Sequence, residues 1–183
     1  MAARFISLTD FNDRPYRIPN QNESTDLAAY LQTKESEIME RLLGWELWED
    51  FQAGLDSYSG DYPLDKWLDL EDGAEYTYGG VVYKYKGLND LLVPAVYSYW
   101  LRDSFDKHTN IGIGLNIKDE FTLISPATRI STAYNTYAKK VGNDCHYENT
   151  LWGFLAANYE ANYTQWDPET DFDAPGTMTI FNI

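Results

Sequence analysis

The chain has 183 residues and a mass of 21.1 kDa, enough for one domain with a real core and too little for two large ones. Its 29 acidic residues outnumber 14 basic ones, giving a net charge of −15 and an isoelectric point near 4.3, which argues against a phosphate-neutralising nucleic-acid surface. Because 44% of the residues are hydrophobic and 16% aromatic, the acidity is not that of a disordered tail, and a folded protein is expected.

Residues 1–23 mix Asn, Asp, Arg and Pro with scattered apolar side chains and have no helical period, so they read as an extended arm that docks on something. From Ser24 or Thr25, Leu27, Leu31, Ile38 and Leu42 recur near whole helical turns, with Lys34, Glu35, Glu37 and Glu40 on the wetter sides. Gly44 follows Leu42-Leu43 where a helix end favours glycine, and a second short helix carries Leu47, Phe51 and Leu55. Residues 56–75 are acidic and contain Gly60, Pro63 and Gly73, which predicts a solvated loop with one turn anchored by Trp67 and Leu70.

The period then changes. Tyr76-Thr77-Tyr78 and Val81 to Tyr85 are β-prone runs joined by Gly79-Gly80, a pair that supplies the positive φ angles of a tight hairpin. Alternation puts Tyr76, Tyr78, Tyr83 and Tyr85 on one face and Lys84 on the other. A helix from about Asn89 to Phe105 is apolar around most of its circumference, as a central element would be, and Pro94 lies within its first two turns. The stretch 108–123, with Gly112 and Gly114, reads as a loop. Ser125-Pro126 is a strong helix start, and Ile130, Tyr134, Tyr137 and Val141 continue to Gly142. Asn143 or Asp144 is expected to cap a last helix bearing Tyr147, Leu151, Leu155 and Tyr159. After Trp166 a polar, proline-bearing linker leads to the apolar run Met178 to Ile183.

The expected architecture is therefore mainly α: a bundle of about four to five helices over residues 24–165 with an inserted β-hairpin at about 76–85, an extended arm at 1–23 and an extended tail at 166–183. Cys145 stands alone and cannot form an intrachain disulfide, which suits a reducing cytoplasm. Met1 to Asp10 has no apolar run of signal-peptide length. The most apolar stretch, Leu91 to Leu101, falls well short of the roughly 20 residues that cross a bilayer, so no membrane association is expected.

Chemistry-bearing patterns are sparse. Carboxylates cluster at Glu46, Glu49 and Asp50, at Asp69, Glu71 and Asp72, and at Asp171 with Asp173, but each group fits a solvated face. Cys145 and His146 are adjacent, and adjacent side chains in a helix diverge by about 100°, which rules out a thiol-imidazole pair there. With His108 the only other histidine, no zinc pattern forms, and no phosphate-binding glycine loop is present. No catalytic residue, metal or cofactor is expected. An acidic chain rich in Trp and Tyr leaves two alternatives open, a carbohydrate-binding or glycoside-hydrolysing module using exposed aromatics such as Trp67 with a carboxylate pair, and a small acidic regulator or DNA mimic with carboxylates spaced like phosphates on one face.

Three stretches resemble a known family. Leu42-Leu43-Gly44-Trp45-Glu46-Leu47-Trp48, the loop Trp67 to Gly73, and Tyr83-Lys84-Tyr85-Lys86-Gly87-Leu88 leading into Tyr97-Ser98-Tyr99-Trp100-Leu101 are similar in organisation to the head-to-tail connector, or neck adaptor, proteins of tailed bacteriophages. The resemblance covers about residues 24–160 and rests on packing motifs. It implies a structural virion protein without enzymatic activity, assembled in the host cytoplasm and placed in the virion neck. About a dozen copies would form a ring between the portal protein and the tail or further neck proteins, with DNA passing through unbound. On this expectation Phe172, Ile180, Phe181 and Ile183 anchor the tail to a partner, and Tyr76, Tyr78, Tyr83 and Tyr85 pack at a subunit boundary.

Overall fold

A computed structural model describes residues 5–13, 15–18, 24–56, 65–108, 126–143, 146–167, 171–173 and 175–178. The expected loop at 108–123 lies outside them apart from His108, as do Cys145 and the tail residues Ile180, Phe181 and Ile183. The described residues form five α-helices with an inserted antiparallel hairpin, a mainly α bundle as the sequence implies.

Helix α1 spans Ser24–Asp56 and is broken at Gly44, whose φ of 72° and ψ of 165° lie in a region essentially reserved for glycine. The break re-aims the chain between two apolar pairs, so that Leu42 and Leu43 before it and Leu47 and Trp48 after it are all buried. Where a solvated turn was expected, the chain forms a helix, α2 (Asp65–Asp72). Trp67 and Leu70 are buried on one side of it, and acidic residues take the other, which is enough amphipathicity to hold two turns in place.

Strands β1 (Glu75–Tyr78) and β2 (Val81–Lys84) pair antiparallel in the register Glu75 with Lys84, Tyr76 with Tyr83, Thr77 with Val82 and Tyr78 with Val81. Gly79 and Gly80, with φ of 58° and 81°, make the tight turn. Helix α3 (Leu88–His108) is the hub, packing against α1, α2, α4 and the N-terminal arm. Pro94 sits inside α3 and cannot donate to the carbonyl of Asp90 one turn earlier. Lys140 of α4 (Pro126–Val141) supplies the missing donor: its Nζ lies 3.1 Å from that carbonyl and 2.5 Å from the Asp90 carboxylate.

The last helix begins later than its spacing predicts. Tyr147 precedes α5 (Leu151–Asn162), because Asn149 adopts φ 57° and Thr150 takes the N-cap, its hydroxyl accepting from the Gly153 N–H at 3.1 Å.

Both arms fold back on the same molecule as far as they are described. Phe5, Ile6, Phe11 and Ile18 are buried, with Phe5 stacked on Phe51 at 5.4 Å between ring centroids. Glu35, expected on a wet side, is 4% exposed, and its carboxylate accepts the main-chain N–H groups of Phe5 and Ile6 at 2.9 and 3.1 Å. A buried carboxylate is tolerated there because it terminates two amides that would otherwise be unpaired. Asn89 completes the clamp, donating to the Phe5 carbonyl at 3.0 Å.

Candidate partner interface

Three surfaces bear on association: the hairpin, the tail and an acidic end of the bundle. The four hairpin tyrosines do share one face, and that face points inward. Tyr76 contacts Phe154 edge-on at 6.0 Å, and Tyr85 stacks on Phe154 at 5.0 Å; both tyrosines are buried. The Tyr76 hydroxyl donates to the Tyr147 carbonyl and accepts the Thr150 N–H at 3.2 Å, which pins the hairpin to the start of α5. Tyr78 stacks on Tyr147 at 4.9 Å, and Tyr83 meets the same ring at 5.7 Å.

Burial pushes the phenols of Tyr76 and Tyr85 above their ordinary value, and the Tyr85 hydroxyl has no hydrogen-bond partner among the described residues. Tyr76 and Tyr85 are thus committed to the chain's own core and present no surface to a second subunit. What the hairpin offers outward is Glu75, Thr77, Val82 and Lys84, together with Val81 at its tip. The Lys84 N–H on the outer edge of β2 is already taken by the Asn149 side chain at 2.9 Å.

The tail is seated across α1 and α4, the two helices that flank α3. Phe172 is half-buried with its ring edge-on to Trp166 at 6.0 Å. Asp173 pairs with the Arg41 guanidinium, and its N–H reaches the Arg41 carbonyl at 3.4 Å. Asn135 reads the main chain of Met178 in both directions, donating to its carbonyl at 2.9 Å and accepting its N–H at 2.8 Å. Of the residues expected to anchor the tail, Phe172 is the one the described chain places, and it rests on its own molecule.

Around this track stand Tyr99, Tyr134 and Tyr137, whose phenols burial holds above their ordinary range. Arg102 and Lys34 approach the Tyr99 ring at 5.0 and 5.9 Å from its centroid. Arg41 and Asn135 carry no local signal of this role, since their partners lie 132 and 43 residues away in sequence.

The charge is distributed unevenly. Residues 46–75 and 160–173 contain 15 of the 29 acidic residues and one of the 14 basic ones, and so carry 14 of the 15 net negative charges. The packing brings residues 46–56, 65–75 and 160–167 together: Phe51 lies 5.6 Å from Trp67, Trp67 lies 6.0 Å from Tyr163, and Gln165 donates to Asp50 at 2.5 Å. Lys66, the one cation among the described residues of these two stretches, is engaged internally by the Asn162 carbonyl at 3.0 Å, at the end of α5, while Arg41 and Lys84 from outside them meet Asp173 and Glu75. Glu46, Glu49, Asp50, Asp56, Asp69 and Asp72 are exposed around this end.

Among the described residues no group of three or more His, Cys, Asp or Glu side chains could hold a metal ion, and no helix is long and apolar enough to cross a membrane. Trp67, the aromatic named for sugar binding, is buried at 6% exposure beneath Gly54 and cannot stack on a sugar. Comparison of the chain with protein-family models, curated proteins and solved structures finds no match in any of the three.

Proposed function

We propose that this chain is a head-to-tail connector of a tailed bacteriophage, a structural protein without catalysis that forms a ring of about a dozen copies between the portal and the tail. The observation that carries the proposal is the concentration of acidic residues on one end of the bundle, formed by the second half of α1, α2 and residues 160–167. Turned toward a ring's axis, that end surrounds the passing genome with a field of its own sign, so that DNA slides without being held. A basic or mixed lumen would instead release counterions on contact and arrest the duplex. The helical bundle with an inserted hairpin agrees with the resemblance noted in the sequence. The portal protein, further neck proteins and other copies of this chain are the partners on this reading, and the virion neck is its location.

The test is assembly on a purified portal ring, viewed by electron microscopy. A stacked ring with the acidic end lining its channel is the expected result, and a chain that stays unattached to the portal and forms no ring refutes the proposal. Neutralising Glu46, Glu49 and Asp50 to Gln, Gln and Asn is expected to leave the ring intact while raising duplex retention at low salt.

A further inference from the structure

The seat of the tail has the properties of a peptide-binding site. Its recognition elements are one guanidinium, Arg41, for a carboxylate and one side-chain amide, Asn135, that forms both hydrogen bonds an extended peptide unit offers. Ahead of them along the tail the backbone of α1 opens at Gly44, where a Cβ would stand 2.9 Å from the Asp171 side chain, so the absence of a side chain makes room for the bound segment. The track therefore selects an acidic segment, and the one it holds is residues 171–173 and 175–178 of the same chain.

The seating is shallow at the charged contact, whereas Pro175 is buried. The side chains of Arg41 and Asp173 are 47% and 60% exposed, and Phe172 is half-buried. An exposed pair of this kind is weak, and a main-chain bond through an asparagine is readily replaced by water. The link from Asp167 to Asp171 contains Pro168 and is closed by two hydrogen bonds of 2.8 Å, from the Asp171 N–H to the Asp167 carbonyl and from the Asp167 N–H to the Asp171 carboxylate.

We infer that this groove is the docking site for the tail of a second copy, so that residues 171–178 of one molecule occupy the Arg41 and Asn135 track of the next. Receptor and ligand lie on one chain, so every added copy brings both. Exchange preserves the contacts of Arg41 and Asn135 with a tail, opens the two hydrogen bonds of the 167–171 link and creates a head-to-tail interface, the kind that closes into a ring. In a dilute free chain the short tether, with an effective concentration in the millimolar range, keeps the tail at home. Assembly shifts the balance through the subunit contacts that the head-to-tail interface adds, since the tail contacts themselves are the same in both arrangements. The inference goes beyond the connector reading and needs neither portal nor DNA.

Charge reversal separates the two arrangements in the full-length chain. Arg41→Glu sets the groove against its own tail, and Asp173→Arg sets the tail against its own groove. Each variant alone is mismatched both within a molecule and between molecules. Mixed in equal amounts, they have only matched contacts between unlike molecules and only mismatched ones within each.

Sedimentation equilibrium at about millimolar chain concentration is expected to show at least tenfold stronger association in the mixture than in either variant alone. A mixture that sediments like its separate components overturns the inference. The chain carrying both reversals, matched within itself, is expected to keep its tail as resistant to protease as the unaltered protein. Loss of that resistance would show that charge does not govern seating, and would overturn the inference equally. Because no portal is present, failure here leaves the connector assignment to its own test.

Discussion

Lys140 and Pro94 illustrate how one residue repairs what another breaks. Proline inside a helix removes an amide and leaves a carbonyl one turn back without its partner, and here the orphan is the Asp90 carbonyl. An ammonium brought in from α4 serves both that oxygen and the Asp90 carboxylate, so the defect becomes a tie between two helices. Both side chains are about a third exposed, which lets water take over part of the role. Replacing Lys140 by Met is therefore expected to cost about 1 kcal/mol. In a Pro94→Ala background, where the helix can satisfy its own carbonyl, the same change should cost measurably less. Urea denaturation of the four chains of this cycle gives the coupling, and equal costs in both backgrounds would mean that Lys140 works through the carboxylate alone.

At the scale of elements, the sequence reading succeeds where a residue enforces local geometry and fails where a distant partner decides. Gly44, Gly79-Gly80 and Pro126 mark breaks and a start because their backbone preferences hold wherever they occur. The start of α5 is displaced because Tyr147, Leu151, Leu155 and Tyr159 keep a helical spacing across a turn, and Asn149 at positive φ interrupts it without disturbing that spacing. Glu35 looks like a solvent residue until Phe5 and Ile6 present their amides, some thirty positions away. The hairpin face was legible from alternation, but its direction was not, because inward or outward depends on where α5 lies. For the same reason the destinations of both arms were hidden.

The break in α1 supports a prediction at this scale. Gly44→Ala would place a side chain in a glycine-only backbone region and against Asp171, and is expected to cost about 1–3 kcal/mol and to loosen the tail. Chemical denaturation combined with proteolysis after Trp166 reads both effects, and an unchanged midpoint would mean that the break is not needed.

For the whole molecule, the buried tyrosines set the response to alkali. Burial holds the phenols of Tyr85, Tyr137 and Tyr163 well above their ordinary value, so the native state keeps protons that the unfolded chain gives up above about pH 10. The unfolded state then binds fewer protons than the native state, and stability falls as pH rises. The contribution is intact below about pH 9 and declines by up to about 1.4 kcal/mol per pH unit for each retained proton. Urea midpoints between pH 8 and 11, taken with tyrosinate absorbance, are expected to fall together above pH 10 with a fraction of the rings ionising only on unfolding. A midpoint that does not move over that range would contradict the burial of these three hydroxyls.

The aromatic packing also has an optical consequence. From Phe5 through Trp48 and Phe51 to Trp67, Tyr163 and Phe154, neighbouring rings lie within 6.2 Å, so one unbroken series of chromophores joins the N-terminal arm to the hairpin. Lifting Phe5 away uncovers the Trp48 indole to water, shifts its emission to the red and changes the near-ultraviolet ellipticity of the rings coupled to it. The molecule thus carries its own gauge of whether that arm is in place, readable without any attached dye.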